Sequence, residues 1–132
     1  MTLLNIALIA QDTRRDALVQ WAERHRALLS GHRIVATGDT GGRLKEAIPE
    51  LKVERLLGAS QGGTLQVGAR LAEGRIDALV CLVDPDRAEP DTAALLRLAI
   101  LRNVPLALNL ATAEALVTLW PKVVVLAGAE SA

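Results

Sequence analysis

Acidic residues that follow apolar runs are the first groups in this chain suited to chemistry. Asp12 follows Leu3–Ala10, Asp84 follows Ala78–Val83, and Asp91 closes the polar stretch after Asp84. A carboxylate so placed can take a proton, orient a ligand hydroxyl or hold a basic group. Each also has a plainer use: Asp12, or Thr13 beside it, can cap the following helix, Asp84 the next turn, and Asp91 reads as an N-cap. Arg15 can meet an anion or stand in solvent.

Two glycine-rich segments are the other candidates. Thr37-Gly38-Asp39-Thr40-Gly41-Gly42 lies between a strand and a helix. Glycines let backbone approach a ligand, hydroxyls donate hydrogen bonds, and a helix start presents free N–H groups. Such a turn would hold a phosphate, or simply connect two elements. Asp39 opposes an anion there, because like charges repel at close range. Gly58-Ala59-Ser60-Gln61-Gly62-Gly63-Thr64 reads as a second ligand-facing loop or a flexible connection. His25 falls in a helix and His32 in the following turn, and both read as structural. No spacing suits a metal or a nucleophile elbow. No cofactor is expected.

The elements that must carry these residues alternate regularly. Strands are expected at Leu3–Ala10, Ile34–Ala36, Val53–Leu57, Ala78–Val83 and Leu106–Leu108, with a last one at Val123–Leu126. A helix follows Asp12, with Leu18, Trp21, Ala22, Leu28 and Leu29 as its apolar stripe. Others run from the Thr37–Gly42 turn to about Ile48, over Leu65–Glu73 with Gly74 as C-terminal cap, from Asp91 to Arg102, and over Ala111–Leu119. Strand–helix alternation predicts a three-layer α/β/α domain, a doubly wound parallel sheet of five strands with Val123–Leu126 as a sixth at the edge. In such sheets ligands bind beyond the carboxyl ends of the strands, where Asp12, Thr37, Gly58, Asp84 and Asn109 all fall.

Composition narrows the partners. The chain has 132 residues, one domain's worth, and 51% of them are hydrophobic, enough for a buried core. Lys+Arg and Asp+Glu are both 15, so no net charge calls for nucleic acid or an anionic membrane. With Trp21 and Trp120 and neither Tyr nor Phe, the rings that stack bases are missing. The single cysteine, Cys81, sits in an apolar run and reads as a small buried hydrophobe. No signal peptide or spanning helix is recognised, so a cytoplasmic protein is expected.

Several segments, taken in order, resemble methylglyoxal synthase. They include Ile6-Ala7-Leu8-Ile9-Ala10-Gln11-Asp12, Ala36-Thr37-Gly38-Asp39-Thr40-Gly41, Gly62-Gly63-Thr64-Leu65-Gln66-Val67-Gly68-Ala69, Asp84-Pro85 and Ala94-Leu95-Leu96-Arg97-Leu98-Ala99. The resemblance implies a hexamer and a reaction on dihydroxyacetone phosphate. In it a carboxylate removes a carbon-bound proton, a histidine polarises the carbonyl, and the enediolate expels phosphate.

Carried over position by position, the resemblance is uneven. The family's Ala-His-Asp is Ala10-Gln11-Asp12 here, and its Gly-Gly-Asp, source of the base, is Gly62-Gly63-Thr64. Its Thr-Gly-Thr-Thr-Gly has Asp39 third, its Ser-Gly-Pro is Gly58-Ala59-Ser60, and its Pro-His pair is absent from a shortened Asp86–Pro90. Asp12, Arg15, Thr37, Gly38, Thr40 and Asp84 survive, and Asp91 matches a later aspartate. Threonine offers no basic form near neutral pH. The expectation is therefore a homologue with little or no turnover, serving as an oligomeric scaffold or binding a small, phosphorylated ligand around Arg15, Thr37, Gly38, Asp39, Thr40, Gly58 and Ala59. The alternatives are an active synthase with Asp12, Asp84 or Asp91 as base, and an enzyme of changed specificity.

Overall fold

The computed structural model of the chain describes residues 3–131. Five strands form one sheet: β1 (Asn5–Ala10), β2 (Arg33–Ala36), β3 (Lys52–Arg55), β4 (Ala78–Leu82) and β5 (Leu106–Ala107). Every pairing is parallel, in the order β3-β2-β1-β4-β5. The most apolar strands take the middle. All five residues of β4 are buried, as are Ile6–Ala10 of β1, because central strands of a parallel sheet are covered on both faces.

Six helices connect them: α1 (Arg15–Arg24), α2 (Arg26–Leu29), α3 (Gly38–Ala47), α4 (Gly63–Ala72), α5 (Pro90–Leu101) and α6 (Leu110–Ser131). One core lies under α1, α3 and α6, built from Ile6, Leu8, Ile34, Leu44, Trp21 and Trp120 among others. The other lies under α4 and α5, around Ile9, Val35, Val67, Leu79 and Leu95. The expected doubly wound α/β architecture is present. No helix among the described residues is long and apolar enough to cross a membrane.

The sixth strand is not there. Val123–Leu126 continues α6, which runs through Pro121. A short apolar run fits strand or helix equally, and spacing decides. Ala113, Val117 and Trp120 are buried and Val124 packs beside them, a stripe at helical spacing. Proline lacks an N–H and usually breaks a helix interior, yet this stripe carries α6 past it. Three other expectations shift. The segment Thr37–Gly42 is helix from Gly38 onward. Asp12 begins a 3-10 turn (Asp12–Arg14) and makes no side-chain cap. The N-cap of α5 is Glu89, with Pro90 at N1, so Asp91 lies inside the first turn and is not the cap.

Two glycines are required where they stand. Gly74 closes α4 at φ 76°, in the left-handed region. Gly63 begins α4 against the carbonyl oxygen of Leu57, where a Cβ would fall 1.9 Å away. Both expected structural histidines are structural. The Nδ1 of His32 accepts the N–H of Leu4 (3.1 Å); His25 sits not inside a helix but at the break between α1 and α2, where the expected single helix divides, and its Nε2 lies 2.7 Å from Glu114 of α6.

Candidate active site

Strand order reverses beside β1: the chain leaves it for β2 and β3, then crosses to β4 on its other side. The carboxyl ends of β1 and β4 are therefore the switch point, where a crevice opens. Gln11 follows β1 and Asp84 follows β4 by two residues. Both are buried. The side-chain oxygen of Gln11 accepts the backbone N–H of Asp84, and the N–H of Gln11 donates to Leu82 (3.1 Å).

The Asp84 carboxylate is held on both oxygens. Thr13 donates its hydroxyl to Oδ2 at 2.7 Å, and the Asp86 N–H reaches Oδ1 at 2.9 Å. The Thr13 bond leads, with the Asp86 bond and the nearby Arg14 and Arg87 charges adding to it, in holding this carboxyl below its usual range against the opposing effect of burial. Asp84 is thus an anion at neutral pH. A cleft of ≈ 430 Å³ opens over it, lined also by Gln11, Arg87, Glu89 and Thr92.

Arg87 joins this group to a second one. Its guanidinium is 4.0 Å from Asp84 and 3.7 Å from Asp12. Asp12 pairs on its other oxygen with Arg15 (3.0 Å). The Arg15 side chain is mostly covered; its Nε donates to the hydroxyl of Thr40 (3.4 Å), and its terminal nitrogen lies 3.9 Å from Asp39. Asp84, Arg87, Asp12, Arg15 and the start of α3 thus form one chain of alternating charge.

The two glycine-rich segments touch. The Gly38 N–H donates to Leu57 (2.9 Å), and a Cβ on Gly38 would lie 2.9 Å from the nitrogen of Gly58. Thr37 and Thr40 are buried beneath this junction. With Gly38 engaged, the amides that α3 can offer an anion are those of Asp39 and Thr40. The Asp39 carboxylate is exposed, and Gly58 and Ala59 are half-buried.

Other candidates stand apart. Thr64 is buried in the first turn of α4, beside the tight Gly63–Leu57 contact. Asp91 is half-buried in the first turn of α5 and does not line the cleft over Asp84. From the sequence, Thr13 reads only as an alternative cap and Arg87 is not singled out. A hydroxyl one residue past Asp12 and a lone cation in the Asp86–Pro90 turn were the available signals. Among the described residues no group of histidine, cysteine and acidic side chains is arranged to hold a metal.

A doubly wound parallel sheet with charged and hydroxyl side chains gathered at its switch point defines a small α/β domain. The model of the MGS-like domain matches residues 17–108. The chain is 49% identical over 115 residues to methylglyoxal synthase of Rhizobium rhizogenes, covering 85% of this chain and 91% of that one. It is 48% identical to the Thermus thermophilus methylglyoxal synthase over 115 residues, covering 85% and 90%. The crystal structure of methylglyoxal synthase from Elizabethkingia anophelis superposes with a TM-score of 0.81 at 34% identity, covering 87% of this chain and 77% of that one. The chain belongs to the methylglyoxal-synthase-like (MGS-like) domain family.

Proposed function

We propose that the chain is a lyase of the methylglyoxal synthase type, converting dihydroxyacetone phosphate to methylglyoxal and inorganic phosphate. The reading is supported by relatives at about half identity that carry that name. The single observation that carries it in the site is Asp84, an ionised carboxylate covered by the cleft at the switch point. Asp84 takes the carbon-bound proton as base. Arg87, between Asp84 and Asp12, stabilises the enediolate oxygen that develops. Arg15, Thr40 and the first turn of α3 hold the phosphate, whose C–O bond then breaks as the enediolate collapses, and the enol left behind takes a proton on its terminal carbon to become methylglyoxal. A carboxyl held below its usual range is a weak base, so this arrangement works more slowly than one poised near neutrality. The protein is proposed to act as a homo-oligomer, a hexamer, in the cytoplasm.

A second reading is a ligand-binding or scaffold member without turnover. It is favoured by two residues. Thr64 stands where the resemblance puts the base, and the side-chain oxygen of Gln11, where it puts a histidine, is engaged by Asp84.

The test is methylglyoxal formation from dihydroxyacetone phosphate by purified protein, compared with Asp84→Asn and Asp12→Asn. Turnover that falls about 10²–10⁴-fold in Asp84→Asn supports the first reading. Binding of dihydroxyacetone phosphate without any product supports the second. Unchanged turnover in Asp84→Asn removes Asp84 as base.

A further inference from the structure

Far from the switch point, at the amino ends of β1, β2 and β3, a row of side chains crosses the sheet. Asn5 pairs with Arg33, and Arg33 with Lys52. In-register neighbours on parallel strands share a face, so the Arg33 and Lys52 side chains lie side by side. Like charges directly opposite each other destabilise a sheet. Among the described residues neither makes an ion pair, and both are exposed.

The row borders a cleft of ≈ 660 Å³ that also takes in Lys45, Arg70, Arg75, which lies 3.7 Å from Glu73, and Arg55, whose Nε donates to the carbonyl of Gly38 at 2.6 Å. Its one carboxylate, Glu54, is engaged. Arg70 grips both its oxygens at 2.8 and 2.6 Å, and that bond leads in holding the Glu54 carboxyl below its usual range. In a chain of zero net charge, this concavity holds a local surplus of positive charge drawn from β2, β3, α3, α4 and the turn after α4.

We propose that this cleft, at its Arg33–Lys52 end, is a binding site for a small polyanion, a molecule carrying two or more linked phosphate groups, distinct from the Asp84 cleft at the switch point. The volume falls in the range of small-molecule pockets, about 300–1,000 Å³. Guanidinium groups present paired donors that match phosphate oxygens. An anion between Arg33 and Lys52 turns their repulsion into two attractions. A nucleic-acid strand fits less well: the cleft holds no aromatic ring on which bases would stack.

The probe is inorganic tripolyphosphate, titrated calorimetrically into the full chain at low salt. Saturable binding at one site per chain is expected. Arg33→Gln combined with Lys52→Gln should weaken it at least ~10-fold. Glu54→Gln, which removes the competing carboxylate and frees Arg70, should tighten it by a factor of ~3. Asp84→Asn should leave it unchanged. Because Glu54→Gln alters the site in the opposite sense, the proposal stays testable if the double variant folds poorly. No saturable binding would leave the cations as guards of the β3 edge and overturn the proposal. So would binding that survives the double variant, tight binding of single-stranded RNA without binding of tripolyphosphate, or a change of molecular mass in light scattering on mutating Arg33 and Lys52.

Discussion

The side-chain oxygen of Gln11 accepts the backbone N–H of Asp84, so the residue after β1 fixes the segment after β4 across the switch point. Both partners are buried. The position at which the resemblance implies a histidine serves here as a clasp between two strand ends. Gln11→Ala leaves a buried N–H unpaired and lowers stability by about 1–3 kcal/mol. A urea midpoint shared with the parent protein would show that the clasp carries nothing.

Thr13 governs the charge on Asp84. Its hydroxyl makes the leading contribution to holding that carboxyl down. Thr13→Val should raise the Asp84 pKa, read by NMR of the labelled carboxyl carbon. The sign follows from linkage. A carboxyl lowered in the fold adds stability above its unfolded pKa of about 3.9 and loses it as pH falls through the folded value. The variant should therefore lose less stability on acidification, over a window shifted upward.

His32 works in the opposite range of pH. Burial lowers its pKa, partly offset by the Asp77 carboxylate, and its Nδ1 must be unprotonated to accept from Leu4. Its contribution is full above the unfolded value of about 6.5 and disappears as pH falls through the folded one. Urea midpoints should drop as pH falls below about 6.5 in the parent, and drop less in His32→Gln. Equal drops would assign the effect elsewhere.

Restoring the family's groups should raise methylglyoxal production. Thr64→Asp alone should gain little, since Asp39 still stands in the turn proposed to hold phosphate and Gln11 is still a clasp. Thr64→Asp with Gln11→His and Asp39→Thr should exceed it by about 10-fold or more, because base, electrophile and phosphate grip act as a unit. A triple variant no faster than Thr64→Asp would place the limit outside these three positions.

Gly63 tolerates no side chain. With a Cβ only 1.9 Å from the Leu57 oxygen, Gly63→Ala must push α4 away from the end of β3. The cost is about 1–3 kcal/mol or more, visible as a lowered melting temperature. Gly62→Ala is a poor control because φ there is 104°; Gly31→Ala, whose nearest neighbour is 3.7 Å away, is the better one.

The central sheet was legible because Ile6–Ala10 and Ala78–Leu82 are apolar without alternation, the mark of strands covered on both faces. The end of the chain was not. Val123–Val125 has strand composition, and only the spacing of Ala113, Val117, Trp120 and Val124 shows that a helix persists through Pro121. Asp84 was legible as a carboxylate at a strand end. Its guardians Thr13 and Arg87 were not, since a hydroxyl and a cation in polar turns look like many others until the fold closes 71 residues of sequence between Thr13 and Asp84. Asp91 looked like a cap because aspartate often is one, but Glu89 and Pro90 already open that helix.

The strand order also sets how the backbone opens. β1 is flanked by β2 and β4, whereas β3 has a neighbour on one side only, and Lys52, Glu54 and Arg55 within it are exposed. Amide protons there are released by small local openings, while those of β1 and β4 wait for the whole domain to come apart. In deuterated solvent the sheet should therefore exchange from its two margins, β3 and the two-residue β5, inward. The Asp84 end of β4, anchored among the last strands to open, would keep its geometry while those margins breathe.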